Sequence, residues 1–199
     1  MHTVPTDPGQ PFSTLDPVAT RFVIIGGGPG GNTAATHAAR LGADVTMIER
    51  DVVGGAAHLW DCIPSKAMIA TGGAMSLTRR ARTMGLSHLD AEIDFDALRD
   101  RVAAIEHRLN TNLCTLRESQ GVRIVRGVGR LKGPREVVVE TDGGLLELGA
   151  DAVLLATGSR PRIPEWALID GERVLTTRQA YPPPEIPELR QTRPREELL

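Results

Sequence analysis

Six consecutive residues, Gly26-Gly27-Gly28-Pro29-Gly30-Gly31, have the types and spacing needed to meet a phosphate. They fit G-x-G-x-x-G with Gly26, Gly28 and Gly31 in the three key places. The first glycine permits a tight strand-to-helix turn, the second lets backbone approach a pyrophosphate, and the third lets helix and strand pack closely. Helix N-terminal amides then favour the anionic groups. Glu49 follows 18 residues after Gly31, a spacing that suits a carboxylate accepting from ribose hydroxyls. The same carboxylate disfavours a 2′-phosphate at this site. The motif therefore points to the ADP half of a dinucleotide, held between Arg21 and Arg50, and does not by itself separate FAD from NAD.

The other candidates for chemistry are two thiols and five histidines. Cys62 and Cys114 lie 52 residues apart in unlike contexts, so no disulfide framework is implied. Cys114 sits on an apolar-striped helix and reads as a small core residue, with pairing to Cys62 as the alternative. Cys62 reads either as a thiolate or as an inert contact residue. His2, His37, His58, His88 and His107 share no metal-ligand spacing with either cysteine, so no metal is expected. His58, beside Trp60, could touch a substrate, although a solvent-facing loop histidine is the simpler reading. Arg79, Arg80 and Arg82 read as a solvated helix end, and Asp96, Asp100 and Glu106 as an exposed helix face.

These residues need elements to position them. Phe22-Val23-Ile24-Ile25 suits a buried parallel strand, an alanine-rich helix runs on to Leu41, and Gly42 falls where a helix stop belongs. Asp44–Glu49 reads as the second strand. Pro64–Thr83 reads as a helix that Gly72-Gly73 should weaken or bend. Leu98, Val102, Ile105, Leu109, Leu113 and Leu116 form an apolar stripe on a further helix, with Asp94 as N-cap and Gly121 as stop. From Val122 to Leu148 short strands alternate with glycines, which suggests a small antiparallel meander. Asp151–Ala156 reads as a returning core strand. Residues 1–20, with four prolines, read as a disordered tail, residues 21–181 as one domain, and residues 182–199 as an irregular tail rich in proline and charge.

Bulk properties narrow the partners. A net charge of -2 and 3% aromatic residues give no footprint for nucleic acid. No apolar run nears the ~18 residues that span a bilayer. No secretory signal is read at the N-terminus, and the cysteine usage fits a reducing cytoplasm.

The segment after the glycine motif decides the cofactor. Val53–Lys66, VGGAAHLWDCIPSK, resembles the redox-active segment of the pyridine nucleotide-disulfide oxidoreductases, of which dihydrolipoamide dehydrogenase is one. ATGSRPRIP, Ala156–Pro164, resembles the family's A-T-G-S-x-P-x-x-P turn, and Gly127-Val128-Gly129 its adenine-proximal loop. The resemblance runs from about Phe22 to Pro187. It implies an α/β, Rossmann-like FAD-binding domain with a parallel sheet, long helices and a small antiparallel meander. It also implies FAD as cofactor, with Gly26, Gly28, Pro29, Gly30, Gly31, Glu49, Arg50, Gly55, Ala56, Lys66, Val128, Gly129, Ala156, Thr157 and Gly158 around it. Lys66 would sit near flavin N5, the alternative being a helix-surface lysine.

Cys62 falls on the family's flavin-proximal cysteine, but Ala57 stands where the first one belongs, Leu59 replaces an asparagine and Asp61 a glycine. A dithiol cycle needs two thiols, so disulfide reduction is not expected. The G-G-A-A-x-x-x-D-C-[IV]-P-S-K form is similar to the mycobacterial LpdA-type flavoproteins, which implies NAD(P)H-dependent reduction of a quinone-like small molecule. The alternatives are a single-thiol reductase or peroxidase using Cys62, and a truncated remnant that at most binds FAD. The family's NAD(P)H site and homodimerisation domain find no room in 199 residues, so the fold is expected to be incomplete relative to the family.

Overall fold

The computed structural model describes residues 19–87 and 90–183. Most of the expected N-terminal tail, residues 184–199 of the C-terminal tail, and His88 lie outside the described residues. Phe22–Ile25 form the body of β1 (Arg21–Ile25), and the glycine motif leads directly into α1 (Pro29–Arg40). Pro29 occupies the first turn, where its missing N–H is no loss. Gly42, at φ +83°, closes α1: its N–H donates to the Ala39 carbonyl and that of Ala43 to the Ala38 carbonyl. β2 (Asp44–Glu49) follows and pairs parallel to β1, with Ile24 opposite Met47.

Three helices come next. α2 (Ala56–Leu59) is a single turn and α3 spans Cys62–Arg80, followed by a 3-10 turn at Ala81–Met84. Gly72 and Gly73 neither break nor end α3, because the backbone ladder does not need their side chains; they only lower its propensity. α4 (Phe95–Ser119) starts where expected, with the Asp94 carboxylate accepting from the Ala97 N–H at 2.9 Å. Its inward stripe differs at one end. Leu98 and Val102 are buried, but Leu116 is 48% exposed and Arg117 takes the inward position. The 3.6-residue turn carries the stripe from Leu113 to the residue four on, not three.

The expected meander also divides differently. β3 (Arg123–Arg126) joins the parallel sheet beside β2, and β7 (Ala152–Leu155) pairs parallel on the other side of β1, giving the order β3-β2-β1-β7. Only β4 (Val128–Gly133), β5 (Glu136–Thr141) and β6 (Gly144–Gly149) form the antiparallel sheet. A single turn of helix, α5 (Thr177–Ala180), is the last element among the described residues.

The parallel sheet is covered on both faces, which explains its unbroken apolar strands. On one face Val23, Ile25 and Ile48 pack against Val137, Val139 and Leu148 of the small sheet. On the other, Ile24, Val45 and Met47 pack against Ala35 of α1 and Leu113 and Cys114 of α4. A smaller cluster of Ala67, Leu98 and Val102 joins α3 to α4.

An exposed clamp fixes β7 beside β1. The Arg21 side chain and its backbone N–H both donate to the Asp151 carboxylate, at 2.9 to 3.2 Å. These bonds hold Asp151 down to about 2 from an ordinary 3.8. The depressed value means that the stabilisation is complete above about pH 4 and is lost as pH falls toward 2. Urea unfolding of Asp151→Asn should show a lowered midpoint at pH 6, with the gap to the native chain narrowing between pH 4 and 2.

Candidate functional site

The strands β1, β2 and β7 end together, and the loops leaving them surround a groove of about 520 Å³. β1 has β2 on one side and β7 on the other, so the chain departs in opposite directions at this point. That is where open α/β sheets leave a crevice for ligands. Ile25, Gly26, Gly28, Pro29 and Gly30 line it from the glycine loop, and Ile48 to Asp51 from the end of β2.

Close approach of backbones explains the glycines. A Cβ on Gly31 would lie 1.9 Å from the Gly26 carbonyl oxygen, and one on Gly26 would lie 2.2 Å from that of Ala156. Gly55 packs on Gly28, with 2.9 Å between its would-be Cβ and the Gly28 Cα. Gly28 and Gly30 differ: a Cβ on either meets nothing within 4 Å, and both line the groove. Three glycines are spent on packing and two leave open space for a ligand.

Glu49 is buried and already engaged. One carboxylate oxygen accepts from the Gly27 N–H at 2.7 Å and the other from the Asp51 N–H at 2.8 Å. Each oxygen keeps a second lone pair, and the residue lines the groove, so further donors can be accepted. Glu49 thus shapes the loop as well as facing the ligand space.

The expected site residues largely converge. Arg50, Gly55, Ala56, Val128, Gly129, Ala156, Thr157 and Gly158 all line the groove, as do Ala57 and Cys62. Gly31 supports it from behind. Lys66 is exposed on α3 one turn beyond Cys62 and is not part of the lining. Cys62 is exposed and Cys114 half-buried, and both are free thiols. Cys114 lies 3.6 Å from an Arg126 nitrogen.

Two readings change here. His58 is half-buried within α2, not solvent-facing in a loop; it covers Gly54, whose would-be Cβ lies 2.0 Å from His58 Nδ1. Glu106 is half-buried rather than fully exposed, and desolvation raises its carboxyl above the usual range, with His58 opposing. The geometry explains both: α4 packs against α2, so the face of α4 carrying Glu106 is covered.

Sequence reasoning missed five contributors: Asn32, Arg117, Asn110, Arg126 and Arg178. Asn32 donates to the Gly27 and Gly28 carbonyls and accepts, at 2.9 Å, from Arg117 Nε. Arg117 is buried, and its other contact is Gln120 Oε1 at 3.0 Å. The glycine loop is therefore braced from α4 by a buried cation. Asn110 also reaches in from α4, accepting from the Val53 N–H at 2.9 Å, and Arg126 donates to the Asp51 carbonyl. Arg178 of α5 lines the groove with its guanidinium over the Trp60 ring, 5.2 Å from the centroid.

No group of three or more metal-ligating side chains occurs among the described residues, and none of their helices is long and apolar enough to cross a membrane.

Comparison with known proteins gives a consistent result. The family described as pyridine nucleotide-disulphide oxidoreductase matches residues 20–188. An NAD(P)H dehydrogenase (quinone) of Mycobacterium tuberculosis is 40% identical over 177 residues, which cover 82% of this chain and 36% of that protein. A dihydrolipoyl dehydrogenase of Zymomonas mobilis is 33% identical over 167 residues, covering 83% of this chain and 36% of that one. The crystal structure of LpdA from Mycobacterium tuberculosis superposes with a TM-score of 0.71 at 36% identity, over 82% of this chain and 37% of that chain. The chain thus spans little more than a third of the length of these relatives.

The Asn32–Arg117 brace is testable by itself. A double-mutant cycle with Asn32→Leu and Arg117→Leu should give single losses of about 2 to 3 kcal/mol, because each leaves a buried polar partner unpaired, and a double loss well below their sum. Urea denaturation measures all three; additive losses would mean that the two side chains act separately.

Proposed function

The chain belongs to the pyridine nucleotide-disulphide oxidoreductase family, and from that premise we propose that residues 21–181 form the FAD-binding part of an NAD(P)H-dependent oxidoreductase that reduces a quinone-like small molecule without a redox disulfide. The observation that carries this reading is the open space at Gly28 and Gly30, at the start of α1, inside a groove where Gly26, Gly55, Gly127 and Gly129 are closely packed. A ligand that brings a pyrophosphate to the start of α1 fits a cradle of that kind. Glu49 supports a ribose beside it, and the same carboxylate argues against a 2′-phosphate there.

FAD, when bound, would supply a two-electron carrier between a nicotinamide donor and an acceptor. The chain's own part is to bind and orient. Gly28, Pro29, Gly55 and Ala56 would flank the pyrophosphate, Val128 and Gly129 the adenosine side, and Ala156 to Gly158 the middle of the groove. Cys62 and Lys66 stand four residues apart at the start of α3, hence on one face. The reading gives them the flavin end, with the lysine supplying positive charge toward a reduced, anionic ring.

Ala57 supports the absence of disulfide chemistry. It lines the groove close in sequence to Cys62, where a resolving thiol would be required. The NAD(P)H donor and the quinone class come from the name of the relative in Mycobacterium tuberculosis, of which this chain covers 36%. Pairing into a homodimer is proposed from the family resemblance, and a cytoplasmic setting from the cysteine usage. A second reading has one observation behind it: Cys62 is exposed on the groove, as a single-thiol reductase or peroxidase requires. Cys62→Ser would abolish peroxide or disulfide reduction under that reading and spare quinone reduction under the first.

The direct test is FAD titration of the purified chain, followed by flavin absorbance after gel filtration. Retention of the yellow cofactor is expected, and a colourless protein would overturn the proposal. Gly28→Val should weaken FAD binding by at least about ten-fold, since its side chain would enter the phosphate space. Its thermal midpoint should stay near that of the native chain, because φ at Gly28 is −70° and no atom lies within 4 Å of the new Cβ.

A further inference from the structure

The groove wall beside Cys62 contains a feature that FAD binding does not call for. Trp60 and Arg178, 118 residues apart, meet there with the guanidinium over the indole face at 5.2 Å from its centroid. Trp60 is half-buried and Arg178 exposed. The ion pairs among the described residues engage Arg21, Arg50, Arg99, Arg130 and Lys132, and none of them engages Arg178. The carboxylates of the groove are directed elsewhere: Glu49 to the Gly27 and Asp51 amides, and Asp51 to Arg50. Asp61, the remaining one, makes no ion pair with Arg178.

A guanidinium stacked on an aromatic ring uses its face and leaves its in-plane N–H donors free. A flat, partly apolar support beside a cation that no carboxylate pairs suits one kind of molecule. We propose that Trp60 and Arg178 form a recognition platform for a planar aromatic acceptor bearing an anionic group, a carboxylate or a sulfonate, next to Cys62. The aromatic body would lie along the Trp60–Arg178 stack and the anion would accept from the free guanidinium edge. This rests on the reading of the groove as that of a flavoprotein reductase, and it narrows the acceptor from quinone-like molecules in general to anionic ones.

The test uses the full chain in a Trp166→Phe background, where Trp60 is the remaining tryptophan. Quenching of its emission is titrated with 9,10-anthraquinone-2-sulfonate and with neutral 2-(hydroxymethyl)anthraquinone, each with and without FAD. The sulfonate should bind about ten-fold or more tightly than the neutral compound, the advantage of a charge-assisted pair. Arg178→Gln should erase that preference, and Arg178→Lys should keep part of it. Equal affinity for the two compounds, or a preference that survives Arg178→Gln, would overturn the platform. Displacement of the sulfonate by FAD would overturn its assignment to the acceptor. Failure to take up FAD strikes only the underlying reading, because the sulfonate preference in cofactor-free protein is measured independently.

Discussion

The approach of the Gly26 carbonyl to Gly31, too close for any Cβ between them, is the contact on which the groove depends. It lets α1 leave β1 through a turn of only three residues, Gly26 to Gly28, so the first turn of the helix faces the strand ends. The Ala156 loop packs onto Gly26 and the Gly55 turn onto Gly28, both within distances that exclude side chains. Three segments distant in sequence thus share one small volume. What remains beside them, at Gly28 and Gly30, is the space into which a ligand can bring its phosphates.

Polar contacts then fix the shape that packing permits. Glu49 holds the amides of Gly27 and Asp51, Asn32 holds the carbonyls of Gly27 and Gly28, and Arg117 holds Asn32. A loop of glycines has large conformational entropy to lose, and each of these bonds removes some of that freedom before a ligand arrives. The buried Arg117 is tolerated because Asn32 and Gln120 accept from it. The groove is thereby preorganised from both sides, by β2 and by α4.

Much of this was legible from local pattern. The strand, glycine turn and helix of residues 21–40, the second strand ending on Glu49, and the cap at Asp94 depend on neighbours in sequence, and all appear as expected. What was not legible depends on partners far away. An arginine one residue past the apolar Leu116 gives no local signal of burial, and the partner that makes its inward position tolerable, Asn32, lies 85 residues earlier. β3 reads as the first strand of a meander because its four residues do not reveal whether the neighbour is β2 or β4. His58 reads as a loop residue because the covering by α4 is a tertiary fact. Trp60 and Arg178 carry no joint signal at all until the fold brings them together.

The place of β1 in the sheet has a consequence for how the chain reaches this state. β1 pairs with β2 after a short excursion, but with β7 only after some 130 residues have been threaded through helices and a second sheet. Closure of so long a loop is entropically late, and contacts of this range slow the search for the native topology. The β1–β2 unit and its glycine turn can form early, yet the Ala156 wall of the groove exists only once β7 has docked. A dinucleotide that requires both walls would bind the finished fold alone, and its concentration would then shift the balance between nearly folded and folded chains.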